Sequence, residues 1–271
     1  MSLLYAIVTG IVQGLTEYLP VSSTGHLAII NLIFGRKVGG GDPFIIWLHG
    51  ATLMALLVYF WRDIVDLIRC WAPSHQRDMA RERRIFIFII LATIVTGIMG
   101  LIYQKLDLAD GSFLMLGLGY VVTTLLLILA ERLGSRASRR SIDRLGSGRA
   151  LGVGFAQGLG LIASISRSGS TIAGGLFSGL DREQATRFAF LAGIPAIAAA
   201  FLLDLLGLGH LPADWNWLAA GLAFVLAAAV AYLSIGWLLA LVKRVRLYGF
   251  AAYTGLLAVV LLILAALKVK I

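Results

Sequence analysis

A polar stretch interrupts an otherwise apolar region near the start of the chain, and its side chains could do chemistry. Residues 17–26 read EYLPVSSTGH. The reactive groups among them are one carboxylate, three aliphatic hydroxyls and one imidazole: Glu17, Ser22, Ser23, Thr24 and His26. A carboxylate and an imidazole suit proton transfer or metal binding, and a neighbouring hydroxyl can be activated as a nucleophile. The stretch therefore predicts a reactive centre.

A second polar stretch lies in the other half of the chain. Residues 164–171 read SISRSGST and place Arg167 among serine and threonine hydroxyls. Arginine and hydroxyl groups suit a phosphate-like anion, and so do the free N–H groups at the start of a helix. Each stretch also contains a glycine, Gly25 or Gly169, which permits close approach of the backbone to a ligand.

The composition indicates which elements must position these groups. Of the 271 residues, 59% are hydrophobic and 14% are charged, whereas about 25% are charged in an average soluble domain. Apolar runs recur at about the 20-residue length that crosses a bilayer. We therefore predict an all-α polytopic membrane protein, with one membrane domain over residues 1–271. Cys70 is the single cysteine, which excludes a disulfide framework and a cysteine-based metal site.

Six apolar runs predict transmembrane helices, at residues 44–62, 85–104, 112–132, 184–205, 215–241 and 249–267. Two other segments, 3–34 and 150–178, are broken by polar residues into halves of about 12–15 residues. Because each half is too short to cross the bilayer alone, these segments predict two re-entrant helical hairpins.

The two hairpins resemble each other in sequence. Gln-Gly-Leu occurs at residues 13–15 and 157–159, and Ser22 and Gly25 recur as Ser166 and Gly169 at the same offset of 144 residues. We interpret this as a duplication, with repeat one at about 1–133 and repeat two at about 149–270. A hairpin followed by three spans ends on the opposite side of the membrane, so the second repeat is predicted to have inverted topology.

The basic residues predict the orientation. Of the 23 Lys and Arg residues, 17 lie on one predicted side, most of them in the Arg-rich loops 62–84 and 132–149. This side is predicted to be cytoplasmic, and the same rule explains the net charge of +9 without a nucleic-acid partner. The two hairpins then meet near the middle of the membrane, where Glu17, His26 and Arg167 are expected to converge. Ionisable residues inside a membrane predict a functional site.

The two polar stretches carry a family resemblance. Residues 13–26, QGLTEYLPVSSTGH, resemble the first signature of the undecaprenyl pyrophosphate phosphatases, the bacitracin-resistance membrane phosphatases. Residues 166–172, SRSGSTI, resemble the second signature of that family. The resemblance implies a bacterial inner-membrane enzyme that hydrolyses undecaprenyl pyrophosphate to undecaprenyl phosphate, the lipid carrier for peptidoglycan. It also implies dependence on a divalent cation, Mg²⁺ or Ca²⁺.

The resemblance assigns roles residue by residue. Glu17, Ser23, His26 and Arg167 fall on catalytic positions, with Glu17 as the expected metal ligand. The expected substrate-binding set combines family positions with the hydroxyls and glycines beside them: Gln13, Ser22, Thr24, Gly25, Ser166, Ser168, Gly169 and Thr171. Two departures stand out. Gln13 occupies a position where many members have glutamate, and Ala163-Ser164 replaces the usual Pro-Gly.

Several alternatives stay open at this point. The nucleophile is Ser23, His26 or a water molecule. A transporter or flippase for phosphorylated lipids, or a non-catalytic binder of them, would use similar hairpins. We expect the site to open outward, because the first hairpin enters from outside, while the sequence does not indicate an oligomeric state. His49 and His210 are interpreted as structural and Asp204 as interfacial.

Overall fold

The computed structural model describes residues 2–36, 42–72, 79–106, 112–134, 140–162, 164–207 and 215–267. Apart from an isolated bridge between Arg140 and Leu180, the regular structure in these ranges is helical. The α-helices are α1 (Leu3–Thr16), α2 (Ser23–Ile33), α3 (Pro43–Tyr59), α4 (Trp61–Arg69), α5 (Ala80–Leu106), α6 (Phe113–Gly134), α7 (Ser147–Leu159), α8 (Arg167–Phe177), α9 (Arg182–Gly207), α10 (Trp217–Leu241) and α11 (Tyr248–Ala266).

The long helices have the length and composition of membrane spans. α5, α6, α9, α10 and α11 are each long and apolar enough to cross a membrane, and α3 together with α4 passes the same test. The six predicted spans correspond to these helices, so the chain is a multi-pass membrane protein of the all-α class. Many large apolar side chains on their outer faces are exposed, as lipid-facing residues must be.

The first predicted span, 44–62, ends earlier than expected. α3 stops at Tyr59, and the chain bends by 67° into α4. Charged residues begin at Arg62 and Asp63, and a charged side chain is costly inside the hydrocarbon. The Asp63 carboxylate pairs with Arg187 of α9, which holds α4 against the bundle. The predicted loop 62–84 is therefore partly helical, since it contains most of α4 and the first turn of α5.

The predicted hairpins are the helix pairs α1–α2 and α7–α8. These helices have 14, 11, 13 and 11 residues. At 1.5 Å per residue they are about 16–21 Å long, shorter than the roughly 30 Å hydrocarbon core. We name the residues between α1 and α2, 17–22, the first break and the residues between α7 and α8, 160–166, the second break. Ala163 lies outside the described residues.

Small residues let each hairpin pack closely against a long helix. A Cβ added to Gly14 of α1 would lie 2.5 Å from the Ala227 carbonyl oxygen of α10. A Cβ added to Gly154 of α7 would lie 2.5 Å from the Ala92 carbonyl oxygen of α5. Close backbone approach through small residues is typical of helix packing in membranes. The duplication and its inverted topology stay predictions. In both packed pairs, α1 with α10 and α7 with α5, a hairpin helix of one predicted repeat contacts a long helix of the other, as two related halves would do.

The second break contains a strained serine. Ser164 has φ +59°, a left-handed conformation that favours glycine. Its hydroxyl is also buried without a hydrogen-bond partner among the described residues. The family's usual glycine at this position would remove both costs.

We therefore expect Ser164→Gly to stabilise the protein by about 1–2 kcal/mol, because it relieves the left-handed strain and removes an unsatisfied buried hydroxyl. The apparent midpoint of thermal unfolding in detergent measures the change. Ser164→Ala is the matched control, since it removes the hydroxyl but keeps the strain and should gain less. A lower midpoint for Ser164→Gly than for Ser164→Ala would contradict the assignment.

Candidate active site

An ion pair joins the two hairpins. Glu17 begins the first break and Arg167 is the first residue of α8, 150 positions later in the chain. The Arg167 Nη2 atom lies 2.8 Å from Glu17 Oε1. The two side chains are only 7% and 15% exposed, so water screens their attraction weakly. The expected proximity of Glu17 and Arg167 is therefore observed.

The other oxygen of Glu17, Oε2, accepts hydrogen bonds from two further side chains. Gln13 donates from Nε2 to Glu17 Oε2 at 3.0 Å, and the Ser23 hydroxyl donates to the same oxygen at 2.7 Å. Gln13 lies one helical turn before Glu17, so the two side chains share a face. Ser23 starts α2 on the far side of the first break. The Glu17 carboxylate thus organises both arms of the first hairpin and the tip of the second.

A cavity of about 320 Å³ opens beside this cluster. Its polar lining comes from both breaks, from the starts of α2 and α8, and from α3 and α9: Glu17, Ser22, Ser23, Thr24, His49, Ser166, Arg167 and Asp204. Ser22 and Ser166 are the N-cap residues of α2 and α8, so two helix starts border the cavity. The free N–H groups and positive dipole ends there favour a bound anion. The volume lies within the range of small-molecule sites.

Only part of the predicted binding set lines the cavity. Ser22, Thr24 and Ser166 line it, whereas Gln13, Gly25, Ser168, Gly169 and Thr171 are not among its lining residues. The Ser168 hydroxyl donates to the Leu19 carbonyl at 2.8 Å and so ties the two breaks together. The Thr171 hydroxyl donates to the Arg167 carbonyl at 2.6 Å.

The two predicted glycines pack against protein rather than against the cavity. A Cβ at Gly25 would lie 2.4 Å from the Tyr120 ring. A Cβ at Gly169 would lie 3.3 Å from Pro20, in the first break. Both glycines therefore let neighbouring elements approach the hairpin tips.

His26 also faces away from the cavity. It is not among the cavity-lining residues, and its ring nitrogens contact Ser22, Tyr120 and Tyr253. Tyr120 and Tyr253 belong to α6 and α11, and sequence reasoning did not single them out. No local pattern points to them, because helix packing alone brings them beside the first hairpin.

Two cavity residues lie outside the set of site residues that the sequence predicted. His49 of α3 was interpreted as structural, yet it lines the cavity with its Nε2 atom 3.9 Å from Glu17 Oε2. Asp204 of α9 was interpreted as interfacial, and it also lines the cavity. Both lie within predicted spans, so the expectation that intramembrane ionisable residues are functional applied to them as well.

A divalent cation that is shared with phosphate oxygens would be compatible with the oxygen atoms around Glu17. A carboxylate offers about four lone-pair sites, and Glu17 accepts hydrogen bonds from three donors. The Gln13 Oε1 atom is buried and has no hydrogen-bond partner among the described residues. The described part of the chain contains no cluster of three or more His, Cys, Asp or Glu side chains that could hold a metal alone. Mg²⁺ often binds to one or two carboxylates plus substrate phosphates, which suits this set.

Comparisons with known proteins match nearly the whole chain. The family model described as bacitracin resistance protein BacA matches residues 6–260. A protein of Methanosphaera stadtmanae named undecaprenyl-diphosphatase is 36% identical over 98% of this chain and 99% of its own length. A protein of the same name from Mycobacterium marinum is 38% identical over 98% of this chain and 95% of its own. Undecaprenyl-diphosphatase 1 of Shouchella clausii is 34% identical over 97% of this chain and 96% of its own.

Proposed function

The chain belongs to the bacitracin resistance protein BacA family, and we propose that it is an undecaprenyl-diphosphatase of the membrane. It hydrolyses undecaprenyl pyrophosphate to undecaprenyl phosphate and inorganic phosphate, and so recycles the lipid carrier for peptidoglycan and other envelope polymers. The substrate's polyprenyl tail stays in the bilayer while its pyrophosphate enters the cavity.

The Glu17–Arg167 pair beside Ser23 carries this proposal. A pyrophosphate in the cavity would meet the Arg167 guanidinium, the serine hydroxyls and the starts of α2 and α8. Each of these groups donates hydrogen bonds to phosphate oxygens. In phosphoryl transfer, positioning and charge stabilisation supply most of the catalysis, so a rigid set of donors around the phosphate is what the reaction needs.

The bond changes follow from the substrate. An oxygen nucleophile bonds to the terminal phosphorus while the bond from that phosphorus to the bridging oxygen breaks. The bridging oxygen leaves with the lipid phosphate. Ser23 lies in position to give its proton to Glu17, since its hydroxyl donates to Glu17 Oε2 at 2.7 Å. If Ser23 attacks, water releases the phosphate from it in a second step.

A divalent cation, Mg²⁺ or Ca²⁺, is part of the proposal. Glu17 would hold it from the protein side, and the bound cation would neutralise charge on the phosphate oxygens. Gln13 stands where many family members have a carboxylate, so one anion fewer lies beside Glu17. We therefore propose that cation binding depends more on the phosphate oxygens of the substrate in this protein than in those members.

We place the protein in the bacterial inner membrane with the cavity open to the outside. Arg182 and Arg187 lie at the start of α9, on the Arg-rich side that is predicted to be cytoplasmic. Asp204, which lines the cavity, lies near the other end of the same helix. The 17 positions from Arg187 to Asp204 correspond to about 26 Å along an α-helix. The cavity thus reaches toward the side opposite the arginines.

The test is phosphate release from undecaprenyl pyrophosphate by the purified protein in detergent, with Mg²⁺ or Ca²⁺ and with a chelator. We expect cation-dependent release by the wild type and a loss of at least about 10²-fold in Glu17→Ala, because Glu17 organises Ser23, Arg167 and the cation. Glu183→Ala is the matched control. Glu183 is a partly exposed carboxylate that pairs with Lys243 outside the cavity, and its removal should leave turnover unchanged.

No release from well-folded wild-type protein would refute the proposal. The chain would then be a transporter or a binder of phosphorylated lipids, and movement of labelled lipid across liposome leaflets would separate these two. Turnover of Glu17→Ala as high as that of the wild type and of Glu183→Ala would show that the chemistry does not depend on Glu17.

A further inference from the structure

The two nitrogens of His26 have different partners. The Nδ1 atom lies 2.7 Å from the Ser22 carbonyl oxygen and 3.0 Å from the Tyr120 hydroxyl. A carbonyl only accepts hydrogen bonds, so Nδ1 carries the proton and donates it. In that tautomer Nε2 is the acceptor, and the Tyr253 hydroxyl lies 2.6 Å from it. The lone pair that an attack on phosphorus would need is therefore already occupied by a hydroxyl donor.

The backbone conformation of Ser22 is unfavourable, and the hydrogen bond from His26 stabilises it. Its φ of +65° is left-handed, which is unfavourable for a residue with a side chain. Its carbonyl accepts the His26 Nδ1–H and also a hydrogen bond from the Tyr120 hydroxyl at 3.3 Å. Its own hydroxyl accepts from the Gly25 N–H at 3.5 Å. Strained residues persist where the surrounding contacts fix them, and these contacts fix Ser22.

Helices α6 and α11 hold the histidine in this place. They pack against each other, and the hydroxyls of Thr124 and Thr254 lie 2.8 Å apart between them. Tyr120 precedes Thr124 by one helical turn and fills the space left by Gly25. Tyr253 stacks on the His26 ring with 14° between the planes. The imidazole thus meets the buried Tyr120 edge-on and stacks on Tyr253.

The turn at Ser22 sets the position of Ser23. Ser23 is the next residue, and its hydroxyl reaches Glu17 Oε2 at 2.7 Å. A change in the Ser22 backbone would move this hydroxyl relative to Glu17 and Arg167. A displacement of about 1 Å at a reacting group can lower a rate by about 10²-fold.

From these contacts we propose that His26 is a positioning residue. It fixes the left-handed Ser22 turn through Nδ1, so that Ser23 points at Glu17 in the cavity. It does not attack the phosphorus and does not take the nucleophile's proton. This inference rests on the proposed phosphatase function. It assigns the chemistry of the first hairpin to Ser23 and Glu17 rather than to His26.

Substitution of His26 by asparagine or glutamine distinguishes the roles of its two ring nitrogens. An asparagine amide nitrogen lies near the place of Nδ1 and can bond the carbonyl four residues earlier, whereas a glutamine amide nitrogen lies near the place of Nε2. We expect His26→Asn to keep kcat for phosphate release within about tenfold of the wild type, since it can restore the one bond that matters. His26→Gln and His26→Ala should lose about 10²-fold in kcat with little change in KM, because the phosphate-binding groups stay in place.

Two tyrosine variants test the same inference without changing His26. Tyr120→Phe removes the second donor to the Ser22 carbonyl and should lower kcat by about tenfold. Tyr253→Phe keeps the ring against His26 and removes only the bond to Nε2, so kcat should stay within about threefold. Thermal midpoints in detergent show whether each variant is folded before its kinetics are compared.

The outcomes are distinct. Wild-type release with His26→Asn clearly more active than His26→Gln and His26→Ala supports the positioning role. Wild-type release with all three variants equally inactive, or trapping of an acid-labile phosphohistidine during turnover, overturns it while the phosphatase function stands. No release by the wild type removes the proposed function, and this inference with it.

Discussion

Replacing Arg167 by alanine is expected to lower phosphate release from undecaprenyl pyrophosphate by about 10³-fold, because the variant loses the guanidinium that stabilises charge on the transferred phosphoryl group. The side chain lies at the start of α8, lines the cavity and pairs with Glu17 at 2.8 Å. Initial rates at saturating substrate, together with the thermal midpoint in detergent, measure the effect. An Arg167→Ala variant with wild-type turnover would exclude the proposed site.

Two further variants separate charge from position at Arg167. Arg167→Lys keeps the charge but loses the planar fork, so it should recover only part of the activity. Gly193→Ala leaves the arginine in place but adds a Cβ only 2.8 Å from its Nη1 atom, which forces the guanidinium to move. We expect a loss of about tenfold or more in kcat from that displacement.

The matched control for Gly193→Ala is Gly221→Ala. Gly221 lies within α10, and a Cβ there would have no atom within 4 Å apart from its own helix and neighbours. Both changes exchange glycine for a better helix former, so their intrinsic effects on helix stability are similar. Equal activities of the two variants would show that the exact place of the guanidinium does not limit turnover.

Replacing Ser23 by alanine is expected to lower turnover by about 10³-fold or more if the Ser23 hydroxyl, which donates to Glu17 Oε2 at 2.7 Å, is the group that attacks the terminal phosphorus. The change removes one oxygen from the cavity wall and leaves the Glu17–Arg167 pair intact. Substrate binding should persist, so a filter-binding or fluorescence measurement of affinity for the lipid should change little.

Thr24→Ala is the control for Ser23→Ala. Thr24 also lines the cavity and is exposed to it, while the Ser23 hydroxyl is the one that donates to Glu17. We expect Thr24→Ala to lose no more than about tenfold, the value of one hydrogen bond to the substrate. If Ser23→Ala and Thr24→Ala retain similar activity, a water molecule is the nucleophile and Ser23 only binds the phosphate.

Much of the fold could be predicted because its causes are local. A run of apolar residues long enough to cross a bilayer must form a helix there, since no water is present to satisfy the backbone. The same reasoning located both breaks, where α2 begins at Ser23 and α8 at Arg167. The bend after Tyr59 was missed because the apolar run continues to Trp61, and a hydropathy pattern carries no signal for a change in direction.

The sequence by itself determined the membrane class and the approximate positions of the two breaks, and it predicted Glu17, Ser23 and Arg167 as the reactive groups. Only the tertiary structure decided which face of each hairpin lies toward the cavity and which lies against a neighbouring helix. His26 turns toward Tyr120 and Tyr253 because α6 and α11 pack beside α2, and His49 and Asp204 enter the cavity because α3 and α9 form its wall. Helical periodicity fixes which residues share a face of a helix. Which other helix packs against that face depends on contacts between residues as many as 227 positions apart in the chain.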